Sequence, residues 1–166
     1  MYAMKAAHLT VIIAAASFAG CAPDEPKLQT PGGMGPCVFG AARIRVIGLT
    51  RLASSPDSNG AVLTACIDVL DSYDSHIKAP GTFRFELYEY VPRSSEPRGR
   101  RLMIWPDLDL TDPAANNEYW QDYLRTYQFA LDLDCTPVAE STYTLEVTCI
   151  TPAGRRLTDK RQITVK

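Results

Sequence analysis

The sequence predicts an all-β domain, an antiparallel sandwich of two sheets with about seven strands and one helical insertion. Two observations predict it: apolar and polar residues alternate in several short runs, and turn residues separate those runs. Alternation with period two is typical of strands with one buried and one solvated face, which parallel sheets lack. We expect an immunoglobulin-like or transthyretin-like sandwich over residues 37–166, with a small barrel as the alternative.

The first half of the domain contains four predicted strands. They cover residues 38–50, 61–70, 82–91 and 101–105. Residues 54–60 separate the first two as a turn, because proline presets φ and Asn-Gly tolerates left-handed backbone. The third strand alternates most regularly, with Phe83, Phe85 and Leu87 on one side and polar or amphipathic residues on the other. This pattern predicts a half-buried antiparallel strand.

One helix and three further strands are predicted in the second half. Asp112 is a good N-cap and Pro113 suits the first helical position, so we predict a helix over residues 113–124. Trp120, Tyr123 and Leu124 would form its packing face. The strands that follow cover residues 127–133, 143–149 and 157–165.

The N-terminus has the layout of a secretory signal. Lys5 is followed by an apolar run over residues 9–18, and the run ends at Ala19, Gly20 and Cys21. The tetrapeptide from Phe18 to Cys21 resembles the lipobox of bacterial lipoprotein precursors, with Phe18 in place of the usual Leu. A plain secretory signal and a retained membrane helix are the alternatives, but the run is shorter than the ~20 residues that span a bilayer.

The resemblance has consequences for anchoring and location. It implies that residues 1–20 are a signal peptide, that cleavage exposes Cys21, and that Cys21 receives a diacylglycerol thioether. Two or more acyl chains anchor a protein stably in a membrane. Ala22 follows the cysteine in place of Asp, which implies an outer-membrane anchor facing the periplasm.

Composition and charge limit the remaining function classes. The signal contains one of the 17 basic residues and none of the 19 acidic ones, so the mature chain has a net charge of −3. This near-balance gives no global attraction to nucleic acid. Residues 22–36 are rich in proline and glycine and nearly free of large apolar side chains, which is typical of a flexible tether. With Cys21 they form the predicted anchor and linker.

Four cysteines lie beyond the lipobox, at Cys37, Cys66, Cys135 and Cys149. An even number in an oxidising compartment is consistent with two disulfides. We favour Cys37–Cys135 together with Cys66–Cys149, and four buried free thiols are the alternative. The absence of a C-x-x-C pair argues against a zinc site.

One segment is similar to a calcium-binding loop. Asp107, Asp109, Thr111 and Glu118 occupy positions 1, 3, 5 and 12 of an EF-hand-like pattern, and hard oxygen ligands suit Ca²⁺. Position 6 is Asp112, where the sharp turn of an EF-hand requires glycine. The alternative is that Asp112 caps the helix while Asp107 and Asp109 are solvated.

A second acidic group lies near the end of the strand over residues 61–70. Asp68, Asp71, Asp74 and His76 combine three carboxylates with a histidine, a set that could bind a cation or act in acid–base catalysis. Ser72 and Ser75 are neighbours in the sequence, but the members of a catalytic triad usually come from separate segments. The alternative is a polar strand end and loop.

Two candidate binding surfaces remain. Arg93, Arg98, Arg100 and Arg101 form a basic loop whose guanidinium groups suit phosphate or carboxylate ligands. Aromatic residues cluster around the predicted helix, with Tyr119 and Trp120 as candidates for contact with a protein or sugar. Ordinary solvation of the loop and core packing of the aromatics are the alternatives.

These observations predict a lipid-anchored envelope protein whose β-sandwich acts as a non-catalytic binding or structural module. Its partners would be the membrane, through Cys21, and an envelope protein or glycan, and no cofactor is expected apart from a possible Ca²⁺ ion. The alternatives are an envelope hydrolase that uses the region of Asp68, Asp71 and His76, or a calcium-binding module at Asp107 and Asp109.

Overall fold

The computed structural model describes residues 39–54, 60–93, 98–134 and 137–165. This part of the chain contains ten strands and one helix. In chain order they are β1 (Arg43–Val46), β2 (Arg51–Ser54), β3 (Ala61–Leu70), β4 (Thr82–Tyr90), β5 (Arg98–Ile104), β6 (Leu108–Asp109), α1 (Pro113–Tyr119), β7 (Trp120–Gln121), β8 (Thr126–Leu133), β9 (Thr142–Ile150) and β10 (Arg156–Thr164). The predicted signal, Cys21, the predicted tether, Cys37 and Cys135 lie outside the described residues.

The strands form two antiparallel sheets of five strands each. In the first sheet the order is β1–β3–β8–β7, and β2 pairs with β3 on the same side as β1. In the second sheet the order is β10–β9–β4–β5, and β6 also pairs with β4. This is the strand order of an immunoglobulin-like sandwich. The predicted two-sheet antiparallel fold is therefore confirmed.

The core lies between the sheets and follows from the alternation seen in the sequence. Leu63, Ala65 and Ile67 on β3 are fully buried, as are Phe83 and Phe85 on β4. The rings of Phe85 and Phe129 lie 4.8 Å apart across the two sheets. Each fully buried side chain of this size stabilises the fold by about 1.5–3 kcal/mol relative to an exposed one.

The helix is shorter than predicted. Asp112 caps it as expected, because its carboxylate accepts hydrogen bonds from the backbone N–H groups of Ala114 and Ala115. It ends at Tyr119, since the next two residues form β7 and pair with Thr126 and Tyr127. Pairing with β8 across the turn at residues 122–125 therefore overrides the preference for helix, and the prediction that residues 120–124 are helical is wrong.

The first strand is shorter than the predicted 38–50, because β1 covers only Arg43–Val46. Residues 47–50 form a turn closed by a hydrogen bond from the Thr50 N–H to the Ile47 carbonyl. The Thr50 hydroxyl accepts from the N–H of Cys66 at 3.0 Å, so the turn is tied to β3 between β1 and β2. The three strands that were not predicted are β2, which begins directly after this turn, β6 and β7.

The predicted Cys66–Cys149 disulfide is wrong, because both cysteines are free and buried. Their positions on the pleat explain why. Cys149 lies on the inner face of β9 with Val147, whereas Cys66 alternates with the inward-facing Ala65 and Ile67 and so lies on the outer face of β3. Burial raises the pKa of both thiols, that of Cys149 to about 12.

Within the described residues, we find no helix that combines the length and the apolar character needed to span a bilayer.

Candidate functional site

The acidic group at the end of β3 is built around Asp68. Its side chain is only 2% exposed although it lies on the outer face of the first sheet. The Arg45 guanidinium donates two hydrogen bonds to Oδ2, at 2.8 and 3.2 Å, and His76 Nδ1 lies 3.4 Å from Oδ1. A charge in this position is tolerated because the Arg45 guanidinium pairs with it.

The other two carboxylates of the group have structural roles. Asp71 Oδ1 accepts the N–H groups of Tyr73 and Ser75 and thereby shapes the turn after β3. Asp74 has a positive φ of 66° and pairs with Arg43 on β1. The three aspartates therefore do not converge on one site.

His76 connects two loops. Its Nδ1 lies 3.2 Å from the carbonyl oxygen of Arg125, and the Arg125 guanidinium donates to the carbonyl of His76 at 2.9 Å. Arg125 itself occupies the left-handed region, with φ of 53°, in the turn between β7 and β8. Within the described chain no hydroxyl or thiol hydrogen-bonds to His76, so the geometry there orients the imidazole without supplying a nucleophile.

The four predicted calcium ligands are not brought together. Asp107 forms a bidentate ion pair with Arg84, which lowers the pKa of Asp107. Asp109 accepts the N–H of Thr111, and a hydrogen bond from Thr111 lowers the pKa of Asp109. No group of three acidic, His or Cys side chains in the described part of the chain could hold a metal ion.

The predicted basic loop is largely part of β5, where its arginines are paired within their own sheet. Arg98 donates to Glu146, Arg100 to Glu89 and Arg101 to Glu86, each at 2.9 Å. Arg93 lies outside the strand, is exposed and has a φ of 62°. Three of the four predicted binding arginines therefore already have carboxylate partners.

Sequence reasoning missed a buried network on the outer face of the second sheet. Glu86 and Glu146 are directly opposite each other on β4 and β9. Two like charges in that position repel. Arg98 and Lys160 lie 2.9 and 3.3 Å from Glu146 Oε2. Arg101 forms an ion pair with Glu86. The only sequence signal was the regular alternation of both strands, which places each glutamate on the outer face.

The aromatic residues around α1 mostly pack inward. The Tyr119 ring stacks on Phe129 at 5.0 Å, and the Trp120 ring lies edge-on to Tyr127 at 5.0 Å. Tyr123 differs, since it is 80% exposed. Of this cluster, Tyr123 is thus the residue best placed to contact a partner.

A second missed feature is a buried polar network under α1. The Tyr127 hydroxyl accepts from the N–H of Ala79 at 3.0 Å and donates to Asn116 Oδ1 at 2.8 Å. Asn116 Nδ2 donates to the carbonyls of Ala79 and Leu110. This network forms one wall of an apolar cleft of about 310 Å³.

A larger cleft, of about 460 Å³, lies at the opposite end of the sandwich from α1. It is lined by Leu102, Leu133 and the exposed Val138. Neither cleft contains a charged cluster of the kind that would identify its ligand.

Compared with known proteins, the chain matches no protein-family model, and no curated protein shows significant sequence similarity to it.

Proposed function

We propose that this chain is the precursor of a lipid-anchored envelope protein whose immunoglobulin-like domain is a non-catalytic binding or structural module. Residues 1–20 are removed, Cys21 is acylated, and residues 22–36 connect the anchor to the domain. The observation that carries the proposal is the lipobox-type segment ending at Cys21, directly after the apolar run.

The position of the domain in the chain supports this proposal. The first strand of the sandwich begins at Arg43, soon after the Pro- and Gly-rich segment. The fifteen residues from 22 to 36 can span at most about 50 Å. An acylated Cys21 would therefore keep the domain close to a membrane surface.

The organisation of the charged groups supports a binding or structural role. Three carboxylates of the described residues are buried: Asp68 and Glu146 interact with cations of their own sheet, and Asp71 shapes a turn. In contrast, Tyr123 and Tyr73 are 80% and 70% exposed on loops at the same end of the sandwich. Exposed aromatic residues on rigid scaffolds are typical contact residues for proteins or glycans.

The anchor is tested by comparing Cys21→Ser with Cys37→Ser in cells. We expect the wild-type protein and Cys37→Ser to fractionate with membranes, and Cys21→Ser to lose membrane association. Equal membrane recovery of all three proteins would refute acylation at Cys21.

The binding role is tested by recovering partners from detergent-solubilised envelope. We expect Tyr123→Ser to reduce recovery of a specific envelope component, and Val138→Ser, which removes an exposed apolar residue at the other end, to leave it unchanged. A background-level recovery by the wild-type protein would contradict the proposed role.

A further inference from the structure

One edge of the sandwich is closed by side chains. β10 of the second sheet runs beside β1 and β2 of the first. The Asp159 carboxylate accepts the N–H of Val46 at 2.7 Å, and Arg161 donates to the carbonyl of the same residue at 3.2 Å. Arg155 donates to the Ala42 carbonyl at 3.0 Å. These bonds satisfy backbone groups that an open edge strand would expose.

The same edge concentrates exposed positive charge. Arg43 and Arg45 of β1 pair with Asp74 and Asp68. Five further exposed cations are here called the basic edge. They are Arg51, Arg155, Arg156, Lys160 and Arg161. Lys160 shares Glu146 with Arg98, and the four arginines form no ion pair with any carboxylate of the described residues. The basic edge is therefore locally positive in a mature chain whose net charge is negative.

The arginines of the basic edge differ from those of β5 in the groups to which they donate hydrogen bonds. There, Arg98, Arg100 and Arg101 each donate to a glutamate of their own sheet, so little of their charge is available to a partner. On the basic edge, Arg155 and Arg161 use backbone carbonyls as acceptors, which leaves their positive charge unneutralised. Guanidinium groups in this condition suit phosphate oxygens.

From this arrangement we propose that the basic edge docks the domain onto anionic phospholipid headgroups, an inference that rests on the proposed membrane anchor. From Arg155 to Arg161 the strand extends about 20 Å. A row of cations of that length is longer than a single small anion. It suits a surface that presents many phosphates side by side. A tether at Cys21 would hold this edge within reach of such a surface.

The test uses the acylated wild-type protein reconstituted into vesicles. Flotation at about 1 M salt, where charges are screened within about 3 Å, reports the lipid anchor alone. Arginine labelling by phenylglyoxal at low salt, located by peptide mass spectrometry, then reports docking. We compare vesicles containing phosphatidylglycerol and phosphatidylethanolamine with vesicles of phosphatidylcholine only.

We expect Arg155, Arg156 and Arg161 to be labelled about fivefold more slowly on the anionic vesicles, with no change at Arg93. Arg51→Glu combined with Arg156→Glu should abolish the protection at Arg155 and Arg161. The matched control, Arg93→Glu with Arg100→Glu, has the same net charge and should retain it.

Failure of flotation at high salt would overturn the anchor. Flotation without lipid-dependent protection in the wild-type protein would overturn the docking proposal alone. Protection that survives the Arg51/Arg156 reversal, or that is strongest at Arg93, would also overturn it. Because the wild-type comparison needs no variant, a variant that fails to fold does not weaken the test.

Discussion

The central strands β3 and β9, one from each sheet, neutralise a buried carboxylate in different ways. Each carries a buried carboxylate on its outer face, Asp68 on β3 and Glu146 on β9. Asp68 has one cationic partner, Arg45, and one histidine neighbour, His76. Glu146 has two permanently charged partners, Arg98 and Lys160.

The two sites differ in the number of cations that neutralise the carboxylate. Glu146 also faces Glu86, so its site requires more positive charge than that of Asp68. Its two cations lie on opposite sides of β9: Arg98 is on β5, beyond β4, and Lys160 is on β10. Loss of one leaves the other, whereas loss of Arg45 leaves Asp68 with His76 alone. Removing one partner of a buried ion pair destabilises a protein more than removing an exposed one.

The largest expected effect follows from removing both cations of Glu146. Arg98→Met combined with Lys160→Met should lower the free energy of unfolding by about 3 kcal/mol, because Glu146 then remains buried beside Glu86. Each single variant should cost about 0.5–1 kcal/mol. Urea unfolding of the four proteins measures the coupling, and strict additivity would contradict redundancy at this site.

The Asp68 site should respond to a single change. Arg45→Met is expected to lower the free energy of unfolding by about 2 kcal/mol, less than for a fully buried pair because Arg45 is half exposed. Adding Asp68→Leu should restore most of the loss, because the uncompensated charge is removed. A cost no larger than that of Lys160→Met would show that the two sites do not differ.

Cys149 on β9 should make the stability of the fold depend on pH. Burial raises the pKa of Cys149 from 9.0 to about 12 in the folded protein. As pH rises above about 9 the unfolded thiol ionises while the folded one does not, so stability falls over the window from pH 9 to 12. By pH 10 this should amount to about 1.4 kcal/mol.

The comparison uses Cys149→Ala with the wild-type protein. The variant is less stable at neutral pH because it leaves a cavity. Between pH 8 and 10 it should nevertheless lose less stability than the wild-type protein. Parallel stability curves for the two proteins over this range would contradict a desolvated Cys149.

The smallest effect distinguishes two threonines on the outer face of β9. Thr144 Oγ1 is buried without a hydrogen-bond partner among the described residues, whereas Thr148 Oγ1 lies 3.3 Å from the Thr158 hydroxyl. Thr144→Val should be neutral or stabilise the fold by about 0.5 kcal/mol, and Thr148→Val should destabilise it by about 0.5–1 kcal/mol. Thermal unfolding that ranks the two variants in the opposite order would refute this assignment.

Local patterns predicted the elements whose residues alternate strictly. Phe83, Phe85 and Leu87 are all fully buried, as their spacing on the predicted strand indicated. The same parity rule, applied to Leu63, Ala65 and Ile67, would have placed Cys66 on the outer face and excluded its pairing with Cys149.

Other features depend on which strands pair and in which register. Trp120 and Gln121 leave the helix because β8 offers them a ladder, which no local propensity shows. The facing of Glu86 and Glu146 requires the register of β4 on β9, and the closed edge requires β10 to lie beside β1. Among the candidate sites, Asp68 and Asp71 lie near the end of β3 as the sequence indicated, but their hydrogen-bond partners were not predictable.

The central claim, that Cys21 carries a lipid which holds this domain at a membrane, is tested most directly by mass spectrometry of the N-terminal peptide of the native protein. We expect a peptide that begins at Cys21 and carries the mass of a diacylglycerol thioether. A peptide that begins at Met1, with an unmodified thiol at Cys21, would contradict it.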